Sequence, residues 1–290
     1  MDNQDSSSPR KKVTTRSFQL KKERKQKISM LTAYDYPTAL AAEKAGIDSL
    51  LVGDSLGMVV LGYETTLPVT MEDMLHHCKA VARGASAPLL IGDMPFMSYQ
   101  SSVKKAVENA GRFLQEAGMD VVKLEGGRER AETVSAIVGA GIPVMGHLGL
   151  TPQSVHAFGG FRAQGKTTSA AKRLVEDALI LQQAGAFSIV LEAVPARLAA
   201  LISERLDIPT IGIGAGVGCD GQVLVTHDLI GQFDRFVPSF VKQYAQIHQI
   251  VLEAMQNYHQ DVLDGSFPRE EHSIGMDEDQ WQALIEELDS

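Results

Sequence analysis

Cysteine is almost absent from this chain: there are 2, Cys78 and Cys219, and they belong to no C-x-x-C pair. That excludes a disulfide framework, argues against a structural zinc site, and suits a reducing compartment. Long apolar runs are absent as well, and none approaches the roughly 20 residues of a membrane span. The start, residues 1–9, is polar and lacks the apolar core of a signal peptide, while Asp2 and Asp5 fit poorly with an arginine-rich transit peptide. A cytoplasmic location with no membrane partner is the expectation. Positive charge is in deficit, with 27 Lys and Arg against 36 Asp and Glu for a net −9. The basic footprint that phosphate binding needs is therefore missing, which argues against nucleic acid as the main partner. What is present is ordinary for a soluble globular protein, 44% hydrophobic and 22% charged. At 290 residues the chain has the length of one large domain.

Residues 1–16 read as a leader, disordered over its polar start. Between positions 10 and 27 lie nine basic residues. They read as a solvated first helix, packed by Phe18 and Leu20, with an anion-binding arm as the alternative. Beyond Lys27, short apolar runs alternate with helical stretches. The runs are 28–34, 49–54, 88–93, 121–125, 142–147, 188–192, 208–214 and 222–227. Each is nearly continuous in apolar residues, the pattern of a parallel strand buried on both faces. Thr70 and Asp73 form a capping box at a helix start. Segment 102–117 spaces Val103, Ala106, Ala110, Phe113 and Ala117 on one helical face, and 169–184 repeats the pattern with Leu174, Ala178 and Leu181. Ala-Gly recurs at 45–46, 117–118, 140–141 and 184–185, each time between a helix and the next run, where glycine can end a helix in the left-handed conformation. Eight runs with helices between them predict an α/β fold, a closed (β/α)8 TIM barrel, with an open doubly wound sheet as the rival. The spacing from 208 to 222 leaves no room for a full helix, so one unit is abbreviated. Helix over 237–258 and an acidic tail helix over 276–290 are expected after the barrel.

Polar residues fall at the C-terminal ends of the runs. Asp54 closes LLVGDS and Asp93 closes LLIGDM. Lys123 and Glu125 close VVKLEG, His147 closes PVMGHLG, and Glu192 closes IVLEAV. In a barrel those ends converge on one face, where active sites sit. A single such carboxylate, Asp54 or Asp93, has a helix cap as its lesser alternative, and Lys123 with Glu125 a packing ion pair. The whole set is harder to explain structurally, because buried carboxylates need a partner. Asp54, Asp93 and Glu125 offer hard oxygen ligands without a companion cysteine, which favours Mg²⁺ over Zn²⁺. A 2-oxo acid would complete such a site with its ketone and carboxylate oxygens. Lys123 would stay charged beside the carboxylates and hold an anionic group. Glu192 is the candidate base for the proton next to the ketone, in an apolar setting of Val190, Leu191 and Val194 that would raise its pKa. His147 is a candidate hydrogen-bond donor to substrate. His76 and His77 read as structural, and His227 as a weaker site candidate. Gly216, Gly218 and Gly221 match the dinucleotide spacing, but a strand-like run follows where a helix is required. A tight loop that lets substrate approach the backbone is the better reading.

These motifs resemble the ketopantoate hydroxymethyltransferase family. The segments that carry the resemblance are MLTAYDY at 30–36, LVGDSLGMVVLGYETTLPVT at 51–70, DMPFMSY at 93–99, VKLEGG at 122–127, GHLGLTPQSVHAFGGFRAQG at 146–165, LEAVP at 191–195, IGIGAGVGCDGQVLVTHDLIG at 211–231 and FPREEHS at 267–273. They span 17–273, the expected catalytic domain, and leave out an acidic tail at 274–290. The resemblance implies a barrel of the phosphoenolpyruvate/pyruvate type. It implies transfer of a hydroxymethyl group from 5,10-methylenetetrahydrofolate to 3-methyl-2-oxobutanoate, giving 2-dehydropantoate and tetrahydrofolate on the route to pantothenate and coenzyme A. By the same resemblance Asp54, Asp93 and Glu125 belong to the site of one Mg²⁺ per subunit. Asp54, Ser55, Asp93 and Lys123 contact the oxo acid, Glu192 accepts the proton, and the assembly is a homodecamer of two five-membered rings. Phe233, Phe236 and Phe240 are apolar residues an interface could use. The competing readings are a carbon–carbon lyase or phosphonomutase on a related barrel, and a non-catalytic barrel that binds small acids.

Overall fold

Each apolar run becomes one strand, and the eight close on themselves in sequence order. In the computed structural model, which describes residues 10–160 and 163–290, the strands are β1 Ile28–Thr32, β2 Ser49–Val52, β3 Leu89–Asp93, β4 Val121–Glu125, β5 Val144–Gly149, β6 Ser188–Glu192, β7 Thr210–Ile213 and β8 Gly221–Leu224. All pairings are parallel, and β8 returns to β1 to complete a closed barrel. The open-sheet alternative is thereby excluded.

Twelve α-helices are described: α1 Thr15–Glu23, α2 Tyr36–Lys44, α3 Leu56–Val59, α4 Met71–Gly84, α5 Val103–Ala117, α6 Ala131–Gly139, α7 Val155–Phe158, α8 Thr168–Gln183, α9 Ala196–Arg205, α10 Thr226–Leu229, α11 Ile247–Asp264 and α12 Glu278–Leu288. The capping box at Thr70 and Asp73 opens α4. Gly46, Gly118, Gly141 and Gly185 all have positive φ, so each Ala-Gly pair does end a helix as its composition predicts. No helix lies between β7 and β8, which is the abbreviated unit. Among the described residues no helix is long and apolar enough to cross a membrane.

Two cores result from the strand alternation. Residues pointing outward, such as Leu50, Val52, Leu90, Val122, Leu124, Ile189 and Leu191, pack against the helix ring. Inward residues fill the barrel itself, with Ile28, Met30, Leu51, Leu89, Ile91, Val121, Met145, Val190, Ile211 and Val223 in one cluster. Side chains two apart share a face. Asp93 therefore continues the inward row of Leu89 and Ile91, Lys123 and Glu125 that of Val121, His147 that of Met145, and Glu192 that of Val190.

The basic segment at 10–27 forms the expected first helix on Phe18, with Arg16, Arg24 and Lys25 exposed, and it is also tied to the barrel. Its helix α1 closes the N-terminal end of the barrel. Phe18 is fully buried in the interior cluster, edge-on to Phe187 with ring centroids 5.8 Å apart. Around it the lysines and an arginine pair with aspartates next to the strand starts: Arg10 and Lys21 with Asp48, Lys12 with Asp120, and Lys22 with Asp220. The expected leader is thus anchored from Arg10 onward, with Val13 buried and its N–H donating to the Ala87 carbonyl. Residues 1–9 lie outside the described residues. Phe18→Ala is expected to destabilise the fold by about 3–5 kcal/mol, the usual cost of emptying a buried phenylalanine site. Urea unfolding measures this, and ligand affinity at the opposite, C-terminal end should be unchanged while the variant is folded.

The chain beyond β8 departs from the expected helix over 237–258. Helix begins only at Ile247. Pro238 lacks an N–H, and 232–246 is instead tied back to α10 by backbone hydrogen bonds from Tyr244 to Leu229 and from Ile247 to Ile230. The acidic tail helix forms, as α12.

Candidate active site

The inward rows end in polar groups at the C-terminal mouth of the barrel, and there they line one cavity of about 700 Å³. Asp54, Ser55, Asp93, Lys123, Glu125, His147 and Glu192 all face it. The register explains the juxtaposition: Asp93 lies beside Lys123 on the neighbouring strand, and Glu125 beside His147. All candidate site residues therefore come together.

Lys123 Nζ is 2.8 Å from Asp93 Oδ1 and 3.3 Å from His147 Nδ1. His147 is wedged between two carboxylates, with Nδ1 3.4 Å from Glu125 Oε1 and Nε2 3.1 Å from Glu192 Oε2. Burial and the charge of Lys123 push its pKa down, but the two carboxylates outweigh them and raise it to about 9. Burial also disfavours a charged Lys123, yet Asp93, Glu125 and Asp54 together raise its pKa and keep it an ammonium. The carboxyl of Asp54 is pushed well above the usual range, by burial first and then by Asp93 and Glu125. Neither Asp54 nor Asp93 caps a helix: Asp54 Oδ2 accepts from Gln153 Nε2 at 2.9 Å, and Asp93 Oδ2 accepts from the Asp54 N–H at 3.1 Å. Ser55 Oγ lies 2.8 Å from the Tyr34 hydroxyl.

Glu192 is held by unusual backbone on both sides. Gly149 has φ 95°, and a Cβ there would lie 2.2 Å from the Glu192 carbonyl oxygen, so only glycine allows that approach. Ala193 follows Glu192 with φ 50°, a left-handed conformation costly for a side chain. The apolar setting expected around Glu192 is only partly there. Leu191 and Val194 pack outward among the helices, Val190 alone shares its face, and an imidazole is its nearest polar neighbour.

Four carboxylates (Asp54, Asp93, Glu125 and Glu192), one ammonium and one imidazole share this site. The charge that the donor set lacks is that of a hard divalent cation, and the oxygen ligands fit one. Among the described residues no three His, Cys, Asp or Glu groups are gathered closely enough to hold an ion unaided. A cation here would keep positions for water or substrate, as Mg²⁺ commonly does.

Sequence reasoning missed two groups that shape this cluster. Gln153, buried in the loop after β5, donates to Asp54 and to the Met94 carbonyl. Its own side-chain oxygen accepts from Tyr99, and its N–H donates to Glu125 Oε2. Tyr99 in turn accepts the Glu125 N–H. An uncharged amide in a loop gives no compositional signal; only its place just beyond a strand end marks it. Gln153→Leu is expected to weaken metal binding by about 10- to 100-fold, as loss of outer-shell support typically does. Isothermal titration with Mg²⁺ measures this.

Other expectations are redistributed. His77 is structural, its Nδ1 2.6 Å from the Tyr34 carbonyl. His227 packs on Tyr34 and does not line the cavity, whereas its neighbour Asp228 does. Gly216 and Gly218 do not admit substrate: Cβ atoms there would strike Ala196 and Ala200, so these glycines let the β7–β8 loop pack on α9. Phe233, Phe236 and Phe240, expected at an interface, line the cavity because 232–246 folds over the mouth.

The family model for ketopantoate hydroxymethyltransferase matches residues 12–270. The chain is 59% identical over 264 residues to the 3-methyl-2-oxobutanoate hydroxymethyltransferase of Syntrophus aciditrophicus, covering 91% of this chain and 97% of that protein. It is 63% identical over 254 residues to the enzyme of the same name from Syntrophobacter fumaroxidans, covering 88% and 90%. Among solved structures, phosphonopyruvate hydrolase superposes with a TM-score of 0.61 at 12% identity, covering 95% of this chain and 96% of that one. A 2,3-dimethylmalate lyase of the PEP mutase/isocitrate lyase superfamily gives 0.58 at 14% identity, covering 95% of each. These two share the barrel fold, and the sequence relationship decides the family: the chain belongs to the ketopantoate hydroxymethyltransferase family.

Proposed function

We propose that this protein transfers a hydroxymethyl group from 5,10-methylenetetrahydrofolate to 3-methyl-2-oxobutanoate, giving 2-dehydropantoate and tetrahydrofolate. The observation that carries the reading is the single cavity in which Asp54, Asp93 and Glu125 surround Lys123 while Glu192 faces them through His147. Its family membership agrees.

Asp54, Asp93 and Glu125 would hold Mg²⁺, in part through water, and the ion would supply Lewis acidity to the ketone. Lys123 and Ser55 hold the oxo acid, the ammonium meeting its negative charge. Glu192 takes the proton from C3. His147, its nitrogens facing Glu125 and Glu192, keeps that carboxylate aimed into the cavity. The resulting enolate carbon attacks the iminium carbon of the folate's one-carbon unit and forms the C–C bond. Water then replaces the folate nitrogen as the new hydroxyl, and tetrahydrofolate leaves.

A cytoplasmic location is supported by two buried cysteines, both unpaired. A homo-oligomer, decameric as in the family, is supported by α11, which buries none of its residues and exposes Ile250, Met255, Tyr258 and Val262.

Proton NMR of 3-methyl-2-oxobutanoate in D₂O tests the function. With protein and Mg²⁺ the C3 proton signal is expected to disappear, a chelator should prevent this, and added methylenetetrahydrofolate should yield dehydropantoate. Exchange without transfer would discard the folate reading and favour a lyase. Neither event in folded, metal-loaded protein would discard the substrate.

A further inference from the structure

The barrel strands bring charge to the cavity from one half only. The ends of β2 to β6 carry the ionisable cluster, while β7, β8 and β1 present Ile213, Val223, Val225 and Thr32. The segment after α10 covers this second half with Phe236 and Phe240 and brings Arg235 to the lining, without pairing it to a carboxylate among the described residues. The cavity's volume is that of a drug-sized ligand site, far more than a five-carbon acid fills.

One carboxylate stands in this apolar half. Asp228, on α10, is 7% exposed and lines the cavity. No described residue donates a hydrogen bond to its side chain; only its backbone carbonyl is used, by Gly231 and Gln243. Of the nearby hydroxyls, Tyr34 pairs with Ser55, and Thr32 accepts from the Thr226 N–H. Burial alone raises its carboxyl to about 6, so it is largely ionised at neutral pH. A buried carboxylate without a partner is costly, and the fold keeps this one facing a space that the first substrate does not fill.

A carboxylate pairs best with two parallel N–H donors, as it does with a guanidinium fork. We propose that Asp228 recognises the flat ring of the second substrate, its two oxygens taking the exocyclic amine and adjacent ring N–H of a 2-amino-4-oxopyrimidine edge, with Val223, Val225 and Phe240 flanking the ring. This rests on the folate reading above and gives that co-substrate's pterin an address. The acid end of the cavity and the heterocycle end are then built from different strands.

The test is titration of the Mg²⁺-loaded protein with tetrahydrofolate and with its analogue in which a methyl group replaces the 2-amino group. The wild type is expected to prefer tetrahydrofolate by about 10- to 100-fold, the worth of a charge-assisted pair. Asp228→Asn should lose that preference and weaken tetrahydrofolate by a similar factor. Its binding of 3-methyl-2-oxobutanoate should be retained, which shows that the site is folded. A variant that still discriminates between the two pterins overturns the assignment, as does one that loses oxo acid and folate together. A wild type that binds tetrahydrofolate without preferring the 2-amino form sinks Asp228 alone. A wild type that binds no tetrahydrofolate fails the functional reading itself.

Discussion

Glu192→Gln is expected to lower the rate at which the C3 proton of 3-methyl-2-oxobutanoate exchanges with D₂O by about 10²- to 10⁴-fold, the range of a lost general base. The amide has the shape of the acid and can face His147 Nε2, which lies 3.1 Å from the carboxylate. It cannot take up the proton. Lys123, Ser55 and the three other carboxylates are untouched, so affinity for the oxo acid should change little. That combination, chemistry lost and binding kept, is the signature of an interaction made in the transition state. Turnover with methylenetetrahydrofolate should fall in parallel, because the enolate precedes the C–C bond. Full exchange in the variant would remove Glu192 from the base role. Among the described residues, His147, 3.1 Å from it, would then be the proton carrier to test next.

The barrel was legible because its strands are buried on both faces, so each reads as a short apolar run whatever its partners are. The site's charged members were legible for the same reason: Asp93, Lys123, Glu125, His147 and Glu192 interrupt or end those runs, and a charge inside an apolar strand stands out. Asp228 and Gln153 did not stand out. Both sit in loops or short turns, where a polar residue is the default, and their importance lies in contacts to residues far along the chain. Gln153 reaches Asp54, 99 positions away. In THDL the histidine drew attention by its chemistry, yet it is the aspartate next to it that faces the cavity. The aromatic residues after β8 read as helix or interface because apolar spacing alone does not say whether a phenylalanine covers a partner or a substrate. The ion pairs of the basic run at 10–27 were not legible because its acidic partners, Asp48, Asp120 and Asp220, are scattered over three separate strand starts.

Lys123→Met should show what balances the charge in this cavity. The ammonium and the Asp93 carboxylate are 4% and 2% exposed, and breaking such a pair from one side typically costs about 3–5 kcal/mol, because it leaves the other charge buried without a partner. In metal-free protein, urea unfolding at neutral pH should report a loss of that order. Lys123 is also one of two groups that lower the pKa of Asp54, the other being Gln153. Without the ammonium, Asp54 takes up a proton more readily as pH falls, which removes one uncompensated charge, so the deficit should shrink toward acid pH. On the alkaline side the lysine's pKa is raised by folding, and its contribution is present throughout the range below its unfolded value of roughly 10.4. The deficit should therefore persist up to that range. Mg²⁺ supplies the discriminating arm. A ligand that binds only the folded state stabilises it by mass action, and in the variant it would replace the missing ammonium among Asp54, Asp93 and Glu125, leaving His147 as the other positive group at Glu125. The gain in melting temperature on adding Mg²⁺ should be larger for Lys123→Met than for the wild type, although turnover should fall because the ammonium that meets the substrate's negative charge is gone. Equal gains would mean that the ion does not bind these carboxylates, and a variant as stable as the wild type without metal would mean that the Lys123–Asp93 pair is not what holds this end of the barrel together.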